Sequence, residues 1–143
     1  MKKYFSLFIL LMILKPALLL ALDIEILISN RKSETSTIYC GIYNNAKGFP
    51  TESNLKLKGT TASMNKEGKL SCKFTDLSKG IYSISLLEDL NGNGVMDSTL
   101  VGFPKEPWGV SNNAPMHTFG PPTFEEASFP LNENKIINIR LNK

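Results

Sequence analysis

The chain reads as all-β, a single antiparallel β-sandwich with one long Pro/Gly-rich loop. Three observations predict this. Short runs of alternating apolar and polar residues recur between clusters of turn formers, the pattern of a sandwich or barrel. No stretch after residue 23 sustains a helical apolar period over three turns. Between Gly102 and Phe124, five prolines and three glycines interrupt any regular element.

The first 21 residues are set apart from the rest. Lys2 and Lys3 precede an apolar run from Tyr4 to Leu14 broken only by Ser6; Lys15-Pro16 interrupts it and Ala17 to Leu22 resumes it. A basic start, an apolar stretch and a small residue near its end make a secretory signal, with cleavage expected near Ala21. An uncleaved anchor is the alternative, but a lysine near the centre of a span costs about 2.5–3.5 kcal/mol on insertion scales. The expectation is therefore residues 1–21 removed, no stable membrane span, and a periplasmic or secreted domain over 22–143.

Strands are expected in order at Asp23–Ile28, Thr35–Tyr43, Leu55–Lys58, Lys69–Phe74, Gly80–Leu87 and Lys135–Leu141. Each carries alternating or β-branched and aromatic residues, as in Tyr82, Ile84 and Leu86 against Ser83 and Ser85. Asn44-Asn45, Lys66-Glu67-Gly68 and Ser78-Lys79-Gly80 supply turns between them. Phe124-Glu125-Glu126-Ala127 has room for one helical turn at most. The Gly102–Phe124 loop is expected to be ordered, because Phe103, Trp108, Phe119 and Phe124 offer apolar surface to pack.

Charge excludes one class of partner. The full chain has 16 basic and 13 acidic residues. Loss of Lys2, Lys3 and Lys15 leaves the two signs balanced, since the first acidic residue is Asp23. No basic stripe remains for a phosphate backbone, so nucleic acid is not an expected partner. Cys40 and Cys72, the only cysteines, both alternate with inward-facing apolar neighbours. In an oxidising compartment they are either a disulfide or two buried thiols on separate strands.

One constellation carries recognisable chemistry. In Asp89-Leu90-Asn91-Gly92-Asn93-Gly94-Val95-Met96-Asp97, oxygen-bearing side chains fall at positions 1, 3, 5 and 9, glycine at 6, and a carbonyl at 7. Calcium takes six to eight hard oxygens, and glycine permits the bend that gathers them. Asp89, Asn91, Asn93 and Asp97, with the carbonyl of Val95, are thus candidate Ca2+ ligands. Position 12 is Leu100 rather than a bidentate glutamate, so Glu88 or Glu106 would have to substitute and affinity would be weak. A metal-free turn is the competing interpretation, because Asn-Gly pairs between strands are a strong hairpin signal.

Several segments together resemble a known family. They are Phe74 to Tyr82, the Asp89–Asp97 loop, Gly102-Phe103-Pro104-Lys105-Glu106-Pro107-Trp108-Gly109-Val110-Ser111-Asn112-Asn113-Ala114, and Gly120-Pro121-Pro122-Thr123-Phe124-Glu125-Glu126-Ala127. This ordered series, covering nearly all of the mature chain, is similar to an uncharacterised family of exported bacterial proteins known only as a domain of unknown function. The resemblance implies a sandwich of immunoglobulin-like or transthyretin-like type and no particular activity. A histidine often precedes the first loop aspartate in that family. Glu88 stands there in this chain, so no role for that histidine carries over.

Enzymatic chemistry finds little support. His117 is the only histidine, and Ser111, His117 and Asp97 form a triad only on paper, since triads are defined by geometry. No Cys-x-x-Cys or paired histidines at zinc-ligand spacing occur. Trp108, beside prolines, is either a contact for a sugar ring or protein partner or a plug at the sandwich edge. The sequence thus points to an exported, non-enzymatic binding or envelope-structural module for a protein or carbohydrate ligand, with a loop stabilised by calcium. The alternative is a secreted hydrolase with its site at the 102–124 loop.

Overall fold

The computed structural model describes residues 21–142. The expected export segment, residues 1–21, lies outside them except for Ala21. Among the described residues there are nine strands: β1 (Leu22–Ser29), β2 (Thr37–Tyr43), β3 (Lys58–Thr61), β4 (Ser63–Met64), β5 (Leu70–Leu77), β6 (Gly80–Asp89), β7 (Trp108–Val110), β8 (Phe129–Leu131) and β9 (Lys135–Arg140). A single helical turn, α1 (Phe124–Ala127), precedes β8, and short 3-10 turns occur at Ser53–Leu55 and Ser111–Asn113.

Two sheets face one another. One has the order β4-β5-β1-β9, the other β3-β2-β6-β7, with β8 also pairing to β6. Pairing is antiparallel except between β1 and β9, which run parallel with Ile26 opposite Ile137. The all-β sandwich expected from alternation is thus present. Its last strand departs from a purely antiparallel pattern because the chain crosses from the β6 sheet to the β1 sheet before β9.

Inward positions at period two build the core. Ile24, Ile26, Cys72 and Phe74 from one sheet meet Ile38, Cys40, Ile42, Ile84 and Leu86 from the other, all nearly inaccessible to solvent. Burying each such aliphatic side chain contributes roughly 1.5–3 kcal/mol. Cys40 on β2 and Cys72 on β5 are bonded through the centre of this core, with Cα atoms 6.6 Å apart. The bond ties one sheet to the other.

Two local expectations are corrected. Leu55–Lys58 is not a strand; its start belongs to a 3-10 turn, and pairing with β2 begins at Lys58, opposite Ile42. The 102–124 segment is ordered, as its aromatics predict, but three of its residues form β7 against the later half of β6. Trp108 also exchanges backbone hydrogen bonds with Asn142, at 3.2 and 2.6 Å, which joins the edges of the two sheets.

Candidate functional site: an oxygen-rich loop and an aromatic cleft

The Asp89–Asp97 loop leaves the end of β6 and closes on itself. Gly92 and Gly94 have φ of +79° and +76°, a region open to glycine at no steric cost. Those bends aim their N–H groups at Asp89, whose Oδ1 accepts from Gly92 and Oδ2 from Gly94, both at 2.8 Å. Burial pushes the Asp89 carboxyl up, but N–H bonds from Gly94, Gly92, Asn93 and Asn91 outweigh it and hold the group below its ordinary value. The side chains of Asn91, Asn93 and Asp97 converge, with both amides donating to Asp97 Oδ2 at 2.6 and 3.1 Å.

The two outside carboxylates divide the work. Glu106 folds over the loop, where its Oε1 accepts from Leu90 N–H at 2.8 Å and its Oε2 from Asp97 N–H at 3.1 Å. Glu88 turns the other way and binds the N–H groups of Lys32 and Ser33 and the hydroxyl of Ser36. Of the two carboxylates that sequence offers for position 12, only Glu106 therefore reaches the loop. Lys105 N–H donates to the Asp97 carbonyl and Glu88 N–H to the Pro107 carbonyl, each at 2.8 Å. The 89–97 loop thus carries the start of the proline-rich segment on its own backbone.

The amide N–H groups of Asn91 and Asn93 meet at Asp97, while their oxygens accept from the Asn93 and Val95 N–H groups, and each Asp89 oxygen keeps a second lone pair after its N–H bond. Among the described residues, no group of three His, Cys, Asp or Glu side chains is placed to share a metal ion. That leaves a loop of two carboxylates and two amides, with Val95 exposed.

The segment carried by this loop roofs a cleft on the outer face of the β6 sheet. Tyr39 stands opposite Leu87, and Leu87 opposite Trp108, forming one cross-strand row. The next row is Gly41, Ser85 and Val110. Gly41 lacks a side chain on this face, so the row of larger groups beside it becomes a wall. The cleft holds about 320 Å³, and Met96, Met116 and Pro121 close it from the loop side. At its far end Tyr43 packs edge-on against Phe49, centroids 5.3 Å apart, and Phe49 against Phe124 at 5.9 Å. Burial raises the Tyr43 hydroxyl above its ordinary value, opposed by a hydrogen bond with Ser85 and assisted by the charge of Glu52. A broader depression of about 460 Å³ lies near Asp76 and Lys79; it is more open and has Tyr82 as its only aromatic, so the cleft, less open and richer in aromatics, is the better candidate.

Trp108 is half-buried: part of the cleft wall, neither a fully sealed plug nor a free platform. Tyr39, Gly41, Tyr43 and Met116 went unnoticed as site residues. For the first three the signal was an outward face of β2 bearing two tyrosines around a glycine, where a solvated strand face carries polar residues; Met116 carries no such signal.

The residues of the paper triad are employed elsewhere. Ser111, 1 % exposed, accepts from Ile84 N–H at 2.9 Å and donates to the Ala127 carbonyl. His117 Nε2 lies 2.8 Å from Glu126 Oε2, and Asp97 holds the loop amides. Asn112 donates to the carbonyls of Glu126 and Ser128, and Asn113 accepts from Arg140 N–H at 2.8 Å. These polar residues fasten the long segment to α1 and β9.

A family model described as an uncharacterized protein conserved in bacteria matches residues 26–138. No curated protein and no solved structure matches the chain. Among the described residues, no helix is long and apolar enough to cross a membrane.

Proposed function

The chain belongs to the DUF2141 family of uncharacterized proteins conserved in bacteria, and we propose that it acts as an exported, non-enzymatic module that binds a small ligand in the cleft above β2, β6 and β7. The observation that supports this is the Tyr39–Leu87–Trp108 row standing beside the bare Gly41 floor. Strand faces without a partner are usually polar; this one is aromatic, concave and roofed by an ordered loop. Ligand sites are typically concave and mostly apolar, with a few polar groups to fix orientation, and Ser85 and Lys56 supply those here.

Calcium enters the same proposal as the ion that stiffens the loop carrying the roof. Its support is the calcium-loop spacing of Asp89, Asn91, Asn93 and Asp97; binding requires the two asparagines, which present N–H groups to Asp97, to turn their amide oxygens toward the ion.

Nile red, a neutral apolar dye, tests the cleft. Trp108→Ala removes part of the wall, and Gly41→Val fills the floor, where an added Cβ lies 3.3 Å from both Ser85 Oγ and a Tyr43 ring carbon. Both variants should weaken dye binding at least fivefold while circular dichroism reports an intact sandwich. Unchanged binding by folded variants would rule out the cleft. Export has its own test, fractionation of cells producing the full chain. A mature N-terminus near Leu22 outside the cytoplasm supports it, and a full-length cytoplasmic chain overturns it.

A further inference from the structure

The proposed cleft has one charged lining residue, and it is a cation. Lys56 is a half-buried lining residue whose stem runs from the floor, with Cδ 3.4 Å from where a Gly41 Cβ would stand, to the neighbouring strand β3, with Nζ 2.9 Å from where a Gly59 Cβ would stand. The ion pairs among the described residues are Arg31–Glu34, Lys69–Glu67, Lys73–Asp23 and His117–Glu126; Lys56 is in none of them. The charge of Glu52 is felt at Tyr43, but Glu52 is exposed and outside the lining. A mostly apolar cleft with a single ammonium beside its floor, over β3 and in none of those ion pairs, is complementary to a molecule with an apolar body and one negative end. Lysine stems lie on apolar surface while the charged head stays at its edge, which is how Lys56 is placed.

Resting on the cleft as the ligand site, we infer that its ligand is a small amphipathic anion, the apolar part against Trp108, Tyr39 and the two methionines and the anionic group at Lys56. Size sets the scale. At roughly 30 Å³ per liquid-packed group of water's size, a chamber of about 320 Å³ takes on the order of ten non-hydrogen atoms. A medium-chain carboxylate such as octanoate has that size and charge.

Trp108 is the only tryptophan in the chain, so its emission reports the cleft directly. Octanoate and octan-1-ol, equal in chain length and differing in charge, are titrated against the wild-type protein, Lys56→Met and Lys56→Arg. Octanoate should bind at least fivefold tighter than the alcohol, Lys56→Met should abolish that preference, and Lys56→Arg should restore most of it. Equal binding of acid and alcohol would overturn the anion assignment and leave the cleft standing as an apolar site. A preference that survives Lys56→Met would overturn the role of Lys56. No response to either compound would overturn the ligand class, while the neutral dye separately decides whether the cleft binds at all.

Discussion

Glu106 and Leu90 are joined by a 2.8 Å hydrogen bond from the Leu90 N–H to Glu106 Oε1 across sixteen residues. The second oxygen of the same carboxylate takes the Asp97 N–H. One nearly buried side chain, 6 % exposed, therefore clamps both ends of the oxygen-rich loop and begins the segment that roofs the cleft. Glu106→Gln would turn an NH2 donor toward one of two N–H donors. Hydrogen bonds to charged groups contribute about 1.5–3 kcal/mol, and a buried donor left unpaired adds a cost of its own. A loss of roughly 2–3 kcal/mol in urea unfolding is expected, with weaker dye binding; an unchanged unfolding midpoint would remove the clamp.

Calcium binding to the loop predicts a concentration-dependent rise in melting temperature. With only two loop carboxylates, Kd should fall near 10⁻⁴–10⁻³ M. At 10 mM calcium such a site contributes about 1.5–3 kcal/mol by mass action, a shift of several degrees. Magnesium should do less, and Asp97→Asn should remove the effect. No shift at 10 mM ends the calcium proposal and leaves the hydrogen-bonded turn.

Cys40 and Cys72 close a loop of 32 residues, and cross-linking a loop of that length stabilises by about 3–4 kcal/mol in the chain-entropy view. The oxidised protein should show no reactive thiol until unfolded, and reduction should lower its denaturation midpoint by a corresponding amount. Two free thiols titrating in the unfolded, unreduced protein would refute the bond.

Glu126 supplies the pH dependence. The Thr123 N–H and then His117 pull its carboxyl from 4.5 down to about 2, within a capping box where Thr123 accepts from Glu126 N–H. A depressed folded value means the contribution is present above the unfolded value and lost as pH falls. The α1 turn should therefore loosen between about pH 4.5 and about 2. Carboxyl chemical shifts of Glu126 should titrate in that window, and His117→Ala should move the midpoint upward but short of 4.5, since the Thr123 bond remains. A wild-type midpoint at 4.5 would contradict the geometry.

Gly109 marks a close approach between the sheets. A Cβ there would lie 2.9 Å from Ile139 Cγ2 and 3.1 Å from the Arg140 carbonyl oxygen. Overpacking of this kind costs about 1–3 kcal/mol. Gly109→Ala should destabilise the protein and speed exchange of the Asn142 amide, which bonds to the Trp108 carbonyl; protection equal to wild type would show that β9 yields freely.

Alternation alone placed most strands. Leu22–Ser29 and Leu70–Leu77 largely hide one face and expose the other, while Gly80–Asp89 alternates in residue type but is covered on both faces along most of its length. The segment Phe124–Ala127, with room for one helical turn at most, forms that turn. Failures came where local pattern carries no long-range information. Lys58–Thr61 forms a strand only because β2 offers an edge at Ile42. Trp108–Val110 pairs only because Glu106 and Lys105 bring it to β6.

By itself, then, the sequence determined the sandwich, the ordered state of the proline-rich segment and the hydrogen-bonding capacity of Asp89–Asp97, since each follows from residues near one another in the chain. Tertiary structure decided the rest. It directed Glu88 away from the loop and Glu106 onto it, employed Ser111 and His117 as fasteners, and set Tyr39, Gly41, Lys56 and Trp108 around one cleft. Those four lie on three segments, β2, the stretch before β3, and β7, and only strand pairing brings such segments together. Periodicity fixes which face a side chain takes; only the fold fixes its neighbour.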